Sequence, residues 1–163
     1  MLTLNRVSSI TEIKQTSILA AEIWHEHFTP IIGKQQVEYM LDKFQSEHAI
    51  SEQIRQGYSY FALMNDDQQI GYTGIKTEPD CLFLSKLYIR KDFRGRGYSK
   101  VMLDQIKKEA RQNKKNIIRL TCNKNNANSL AVYKKLGFRI VQEEKNDIGN
   151  GFYMDDYILE KQL

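Results

Sequence analysis

The segment Arg94-Gly95-Arg96-Gly97-Tyr98-Ser99 constrains the fold more than any other part of this sequence. It follows an apolar run, residues 82–89, whose composition is typical of a buried strand. It precedes residues 98–110, where apolar side chains recur at helical spacing. The chain therefore turns from a strand into a helix where two glycines leave the backbone uncovered. The first turn of such a helix presents unpaired N–H groups and the positive end of the helix dipole, an arrangement that binds phosphate.

Two common phosphate-binding loops do not fit this segment. A dinucleotide-binding loop needs a third Gly or Ala where Lys100 stands, and a nucleotide P-loop needs Gly-Lys-Ser/Thr at the end of a longer loop. The segment instead resembles the acetyl-CoA loop of the GNAT superfamily of N-acetyltransferases, Arg/Gln-x-x-Gly-x-Gly/Ala. Ser99 stands where that family usually has Gly or Ala, which adds a hydroxyl close to the phosphates.

A second segment, residues 126–138, supports the same resemblance. It is similar to the GNAT element Asn-x-x-Ala-x-x-x-Tyr-x-x-x-Gly-Phe, with Ser129 in place of the alanine. Its apolar residues form one face of a short helix, and Gly137 is placed to cap that helix in the left-handed conformation. The resemblance covers residues 58–160, and the N-terminal third fits it less specifically.

The resemblance implies a fold and a cofactor. We expect a single α+β domain over residues 1–163, built on a twisted, mostly antiparallel sheet of six to seven strands with helices on both faces. In such a domain the central strands, here 82–89 and 117–122, splay apart and admit the pantetheine arm of acetyl-CoA. The cofactor-binding residues carried over from the two motifs and the central strand are Leu87, Tyr88, Ile89, Arg94, Gly95, Arg96, Gly97, Tyr98, Ser99, Asn126, Ser129 and Tyr133.

Hydrophobic periodicity gives the order of the elements. The N-terminal third predicts a strand and three helices, with Thr11 as the first N-cap and Phe28-Thr29-Pro30 breaking the first helix after Trp24. The rest predicts strands and two helices, with the polar residues 146–151 as a loop between the last two strands. The predicted strands are 2–7, 58–64, 70–75, 81–90, 117–122, 138–143 and 152–159; the predicted helices are 11–24, 34–44, 47–56, 98–110 and 126–136.

Length, composition and the positions of cysteine and histidine limit the kinds of protein that this chain can be. The chain has 163 residues, which fits one domain, and no apolar run has the length of a membrane span. The N-terminus lacks the pattern of a secretion signal, so we expect a cytoplasmic protein with no membrane partner. Cys81 and Cys122 are isolated and expected to be buried and reduced. His25 and His27 diverge on a helix, so no metal site is expected.

The net charge of +4 is concentrated in residues 86–115, which are rich in Lys and Arg. A basic patch of this kind serves nucleic acid in some proteins. The sequence has no zinc-finger spacing, aromatic RNA-binding strand or helix-turn-helix, so we expect no nucleic-acid partner. The phosphates of coenzyme A account for part of the charge.

Amine acetylation by a thioester needs a neutral amine, stabilisation of the carbonyl oxygen and a proton for the leaving thiolate. The resemblance assigns the second task to backbone N–H groups of residues 87–89 and the third to Tyr133, the expected catalytic residue. The residue that would act as the general base is not assigned, because relatives often have Glu on the central strand where this chain has Ser85 and Lys86. Candidates elsewhere are Glu22, His25, Glu26, Asp147, Asp155 and Asp156.

The predicted acceptor cleft mixes acidic and aromatic side chains, which suits a cationic small-molecule amine. We favour a primary amine, polyamines in particular, because parts of the chain faintly resemble bacterial polyamine acetyltransferases. The alternatives are a protein or peptide N-acetyltransferase and a non-catalytic acyl-CoA-binding protein of the same fold; the oligomeric state is open, a homodimer included. The residues expected to shape the cleft are Trp24, His25, Glu26, Phe28, Tyr39, Asp147, Phe152 and Tyr153.

Overall fold

The computed structural model describes all 163 residues, which form one seven-stranded sheet and five α-helices. The strands are β1 (Leu2–Arg6), β2 (Ser59–Asn65), β3 (Gln68–Thr77), β4 (Leu82–Ile89), β5 (Ile117–Asn123), β6 (Arg139–Gly149) and β7 (Phe152–Gln162). The helices are α1 (Ile10–Ile32), α2 (Lys34–Met40), α3 (Glu47–Arg55), α4 (Tyr98–Gln112) and α5 (Ala127–Lys135), with a π-helical turn at Leu41–Gln45 and a 3₁₀ turn at Lys91–Phe93.

The sheet has the strand order β1-β2-β3-β4-β5-β7-β6, and every neighbouring pair except β4 and β5 is antiparallel. Helices α1 and α3 pack on one face, against the apolar side chains of β2 and β3. Helices α4 and α5 cover the other face, where they share the largest core cluster with β4, β5 and β7. The predicted α+β class, mostly antiparallel sheet and helices on both faces are therefore confirmed.

The predicted splay of the central strands is also confirmed. Strands β4 and β5 pair only at Leu82 with Ile118 and at Phe83 with Arg119. No residue of β4 beyond Phe83 has a partner on β5, although both strands continue for several residues. The sheet is consequently open between the C-terminal halves of β4 and β5.

A β-bulge in β4 changes which side chains face that opening. Gly74 of β3 is opposite Lys86 and Ile75 is opposite Leu84, so Ser85 is an extra residue. Leu84 packs on the α4 side of the sheet. Because the inserted residue reverses the alternation, Lys86 and Tyr88 lie on the other face, beside α1 and the π-helical turn.

The first helix differs from the prediction at both ends. Its N-cap is Ser9, not Thr11: the Ser9 hydroxyl accepts from the Glu12 N–H and the Glu12 side chain accepts from the Ser9 N–H, a capping box. The helix also continues through Pro30 to Ile32. Proline removes one hydrogen bond, and so close to the helix end that loss is offset by the burial of Trp24 and Phe28 on the helix's inner face.

The polar segment 146–151 was wrongly predicted to be a loop. Strand β6 extends to Gly149, and only Asn150 and Gly151 connect it to β7. Both residues have positive φ, 54° and 80°, as a type I′ hairpin turn requires. Strand β6 is consequently the edge strand of the sheet and is exposed along most of its length, and only the hairpin end of β6 and β7 extends beyond β5.

Candidate active site

A groove of about 720 Å³ lies along the opening in the sheet, between the end of β4, the N-terminus of α4 and α5. Ten of the twelve predicted cofactor residues line it, together with basic and apolar side chains that the motifs did not identify. The predicted residues are Leu87, Tyr88, Ile89, Arg94, Gly95, Gly97, Tyr98, Ser99, Ser129 and Tyr133; the others include Ile23, His27, Phe93, Lys100, Lys107 and Lys135.

The loop before α4 has the geometry that phosphate binding needs. Gly97 is left-handed, with φ 79°, and Gly95 has φ 76°. A Cβ atom on either glycine would meet no protein atom within 4 Å, so both face open space. No side chain caps α4, which leaves its first N–H groups available to an anion.

Two arginines of the loop have different partners. Arg94 lines the groove, where its guanidinium lies 2.7 Å from the Glu26 carboxylate and its Nε donates to the carbonyl oxygen of Ile89. Arg96 does not line the groove; it donates to the carbonyl oxygen of Asp92 and stacks on the Phe93 ring. Within this loop the Arg94 side chain therefore faces the groove, whereas Arg96 supports the loop's conformation.

Asn126, the second predicted cofactor residue outside the groove, caps helix α5. Its Oδ1 accepts from the Ser129 N–H and lies 3.0 Å from Nε2 of His27. His27 itself lines the groove. The predicted motif residue therefore joins α5 to α1, and it fixes a histidine that no sequence pattern had indicated.

A second cavity, of about 330 Å³, lies on the other side of the opening. Its walls come from α1, the π-helical turn, α3 and the strands β4, β5 and β7. The lining mixes aromatic and amide side chains with one carboxylate and one ammonium group. Its members include Trp24, Phe28, Gln45, Gln53, Phe83, Ser85, Lys86, Cys122, Asn123, Asn126, Met154 and Asp156.

The groove and the cavity meet at three residues, Tyr88, Ser129 and Tyr133, which line both. The Tyr133 ring packs edge-on against Phe138, with 5.8 Å between ring centroids. Its hydroxyl makes no hydrogen bond within the protein, so it is free to act on a bound molecule. Burial, and secondarily the nearby Cys122 thiol, raises the pKa of Tyr133, which keeps the phenol protonated at neutral pH.

Two ionisable side chains of the cavity are buried and take part in no ion pair. Asp156 is 5% exposed and Lys86 is also 5% exposed. Burial raises the pKa of Asp156 to about 6 and lowers the pKa of Lys86 to about 7. Lys86 donates to the carbonyl oxygen of Phe44, to Oε1 of Gln53 and to the Tyr60 hydroxyl.

The sequence contained only weak indications that Asp156 and Lys86 belong to the site. Asp156 was one of several candidate bases, and its spacing of two residues from the apolar Met154, which also lines the cavity, was the signal that the two share a face of β7. Lys86 was noticed as a departure from the family pattern. The bulge that directs Lys86 into the cavity is a tertiary feature that the sequence does not reveal.

The residues predicted to shape the acceptor cleft are dispersed. Trp24 and Phe28 line the cavity. The remaining side chains have other contacts: His25 with Glu38, Glu26 with Arg94, Tyr39 and Phe152 with each other, Asp147 with the Gly149 N–H, and Tyr153 with Lys145. Asp156 of β7 is the one carboxylate that lines the cavity, and neither Glu26 nor Asp147 lines it.

The loop geometry predicts the effect of Gly97→Asn. Asn adopts the left-handed conformation more readily than most residues, so the variant should fold, but its side chain enters the space that faces the groove. We expect the Kd for coenzyme A to rise about tenfold or more, which is about 1.4 kcal/mol. Calorimetric titration measures it.

Gly151→Asn is the matched control, because Gly151 has φ 80° and equally open surroundings but lies in the hairpin turn. This variant should bind coenzyme A like the wild type. Equal affinity in Gly97→Asn and the wild type would place the diphosphate elsewhere.

Two further properties concern metals and membranes. The structure contains no group of three or more His, Cys, Asp or Glu side chains arranged to hold a metal ion. None of its helices has both the length and the apolar character needed to cross a bilayer.

Known proteins resemble this chain in sequence pattern and in fold. A sequence model of the acetyltransferase (GNAT) domain matches residues 28–158. The PaiA N-acetyltransferase of Thermoplasma acidophilum, solved in complex with coenzyme A, has 19% identity and a TM-score of 0.84, over 100% of this chain and 99% of that one. The ribosomal-protein-S18-alanine N-acetyltransferase of Escherichia coli has 16% identity and a TM-score of 0.71, over 99% and 94% of the two chains.

A GNAT family acetyltransferase of Elizabethkingia anophelis, solved with acetyl-CoA bound, has 14% identity and a TM-score of 0.65, over 99% of this chain and 98% of that one. A search of curated proteins finds no match in sequence. The domain match covers most of the length of the chain and includes both motifs. The chain therefore belongs to the GNAT acetyltransferase family and is an acyltransferase.

Proposed function

We propose that this protein transfers the acetyl group of acetyl-CoA directly to a primary amine while both substrates are bound. The observation that carries the proposal is the junction of the two cavities. The groove has the features of a coenzyme A site, the cavity has the size and lining of a small-molecule site, and they share Tyr88, Ser129 and Tyr133. A thioester and an amine bound on the two sides would meet at the Tyr133 hydroxyl.

The groove residues fit acetyl-CoA by charge and shape. The open N-terminus of α4 and the glycines at 95 and 97 suit a diphosphate, while Lys100 and Lys107 add positive charge. Leu87 and Ile89 offer apolar contact along the groove. The backbone of β4 beyond Phe83 has no partner on β5, so its polar groups are available to the amides of the pantetheine arm and to the thioester carbonyl oxygen.

The protein groups then have separate tasks. Backbone N–H groups near Leu87 and Ile89 stabilise the negative charge that develops on the carbonyl oxygen. Tyr133 gives its proton to the sulfur as the C–S bond breaks, since a protonated phenol can donate to a thiolate whose acid has a pKa of about 8.5. Binding both substrates at once removes most of the entropic cost of bringing them together.

Direct transfer is favoured over a covalent acetyl-enzyme. Cys122 is the cysteine of the cavity, and burial raises the pKa of its thiol to about 12. At neutral pH such a thiol is almost entirely protonated, and the thiolate is the nucleophilic form. The acetyl group is therefore proposed to pass from sulfur to the acceptor nitrogen in one transfer.

The cofactor part of the proposal predicts stabilisation by acetyl-CoA. At about a hundred times its Kd, a ligand that binds only the folded state adds about 2.7 kcal/mol to the free energy of unfolding. For a chain of this length the expected rise in Tm is about 5–10 °C. Thermal unfolding with and without acetyl-CoA measures the shift, and millimolar acetyl-CoA without any shift would contradict the proposal.

A panel of amines tests the reaction itself. Thiol release from acetyl-CoA should require an amine and should be fastest with a cationic primary amine; polyamines are the acceptors that we favour. A catalytically silent acyl-CoA-binding protein would show the same rise in Tm but no thiol release with any amine.

A further inference from the structure

Asp156 of β7 is a carboxylate that the protein buries and leaves without a partner. It is 5% exposed, lines the cavity, and takes part in no hydrogen bond or ion pair within the protein. Its neighbour Asp155 is different, since Asp155 is 49% exposed and lies 3.1 Å from the Lys124 ammonium. A buried carboxylate is costly unless a partner compensates it, so the missing partner of Asp156 is expected to come from a ligand.

The strand register places a second carboxylate beside it. In the ladder between β6 and β7, Asp156 is directly opposite Glu144. Directly opposed residues of an antiparallel pair share a face of the sheet, and like charges there repel. Glu144 takes part in no ion pair, whereas the Lys124 ammonium contacts Glu143 and Asp155. The two unpaired carboxylates run from the cavity toward solvent.

The charged and titratable groups around Asp156 come from four strands and the turn after β5. Asp155 and Glu144 raise the pKa of Asp156 in addition to its burial, and Lys124 lowers it. Tyr88 and Cys122 are close enough for the Asp156 charge to raise the pKa of each. The net surroundings of Asp156 are therefore negative and favour a cation.

The wall of the cavity opposite Asp156 carries Lys86, which is positively charged when protonated. It lies on β4, and β5 and the opening in the sheet separate it from β7. Its ammonium is held by Phe44, Gln53 and Tyr60, none of which is acidic. While protonated, Lys86 would repel a cationic chain bound in the cavity, and this repulsion weakens as the pH rises past the lowered Lys86 pKa of about 7. Asp156 and Glu144 would attract the same chain.

We infer that Asp156 binds the reacting ammonium group of the acceptor and takes its proton, and that Glu144 holds a second positive charge of the same molecule. The acceptor class is then a linear diamine or polyamine that enters past Glu144. This inference rests on the proposed amine acetylation, and it assigns the general base and the direction of substrate binding. Tyr133, at the junction with the groove, provides the acid on the opposite side of the transfer.

The protons of the reaction balance with these two residues. The acceptor begins as an ammonium with three protons, and Asp156 takes one and passes it to water. The neutral nitrogen attacks the acetyl carbon, the C–S bond breaks, and the sulfur receives the Tyr133 proton. A second nitrogen proton restores the Tyr133 phenol. The third remains on the amide nitrogen, so the products are the N-acetyl amine, coenzyme A thiol and one released proton.

Three variants with two acceptors test the inference. The acceptors are spermidine and butylamine, and the variants are Asp156→Asn, Glu144→Gln and the control Asp155→Asn. We expect Asp156→Asn to lower kcat about 10²–10⁴-fold with both amines, the usual effect of losing a general base. The wild-type kcat/KM should rise with pH through an apparent pKa near 6, and Asp156→Asn should lose that limb. Affinity for coenzyme A should not change.

Glu144→Gln should raise the KM for spermidine about threefold and leave the KM for butylamine unchanged, because only spermidine carries a second charge. Asp155→Asn should keep the wild-type kcat and KM with both amines, and its pH limb should move to slightly lower pH, because Asp155 no longer raises the pKa of Asp156.

The outcomes separate this inference from the proposed function. Acetylation of amines with an undiminished kcat in Asp156→Asn would overturn the assignment of the base while leaving the proposed function intact. An unchanged spermidine KM in Glu144→Gln would overturn the polyamine subsite alone. A wild-type protein that binds coenzyme A but acetylates neither these amines nor any of a wider panel would overturn the proposed function, and this inference with it.

Discussion

Tyr133→Phe is expected to lower kcat about 10²–10⁴-fold with spermidine as the acceptor, because it removes a positioned general acid. Tyr133 lines both the groove and the cavity, and its hydroxyl has no hydrogen bond within the protein. Phe keeps the ring that packs against Phe138. The melting temperature and the affinity for acetyl-CoA should therefore change little.

Single-turnover kinetics give the clearest measurement, since product release does not then mask the chemical step. The loss should be smaller with an acetyl donor whose leaving thiol is more acidic, because a better leaving group needs less help from a proton. Tyr157→Phe is a suitable control, as Tyr157 packs in the same core cluster but does not line either cavity. A kcat in Tyr133→Phe close to that of the wild type would show that Tyr133 only packs.

Asp156→Asn should stabilise the protein at neutral pH. Folding raises the pKa of this carboxyl from an ordinary value near 3.8 to about 6, so the folded state binds the proton more tightly than the unfolded state. The stability of the wild type consequently falls as the pH rises from about 4 to about 6, and the full penalty remains above pH 6. A shift of this size corresponds to about 3 kcal/mol, and burial of the replacing amide offsets about 1 kcal/mol.

The expected gain is thus about 2 kcal/mol at pH 7, or about 4–8 °C in Tm, and close to zero or slightly negative at pH 4. Denaturant unfolding at several pH values measures it. Asp155→Asn should show no comparable gain, because the Asp155 side chain is half exposed and ion-paired with Lys124. A loss of stability in Asp156→Asn at pH 7 would mean that the carboxylate stabilises the fold and is not held for a ligand.

The sequence predicted those parts of the fold that depend on residues close to one another in the chain. The strand before the loop, the glycines at 95 and 97 and the helix after them follow from apolar spacing and backbone freedom within a short segment. For the same reason most of the predicted cofactor residues line the groove. Asn126 caps α5 through a contact three residues along the chain, which also belongs to local structure.

Some local signals were present but were interpreted incorrectly. Ser9 with Glu12 is a capping-box pattern, and Asn150-Gly151 is a strong signal for a two-residue hairpin turn. Pro30 indicated the end of a helix, but tertiary packing of Trp24 and Phe28 outweighs the single hydrogen bond that it removes. These errors moved the ends of elements without changing their order.

The cavity beside the opening in the sheet could not be predicted, because contacts distant in sequence create it. The bulge at Ser85 turns Lys86 toward Phe44 and Gln53, and the order of the strands brings β7 beside β5. Glu26 and Asp147 seemed equally good acidic residues in the sequence. In the fold one is paired with Arg94 and the other caps the backbone near the hairpin turn.

The central claim is direct acetyl transfer from acetyl-CoA to an amine at the junction of the two cavities. Its most direct test is a single-turnover reaction of the protein with radiolabelled acetyl-CoA, with and without spermidine, in which the label is followed on the protein and on the amine. We predict that all transferred label appears on spermidine, that thiol release requires spermidine, and that the protein carries no label. Thiol release without an amine, label retained on the protein, or no transfer to spermidine or any other amine would contradict the account.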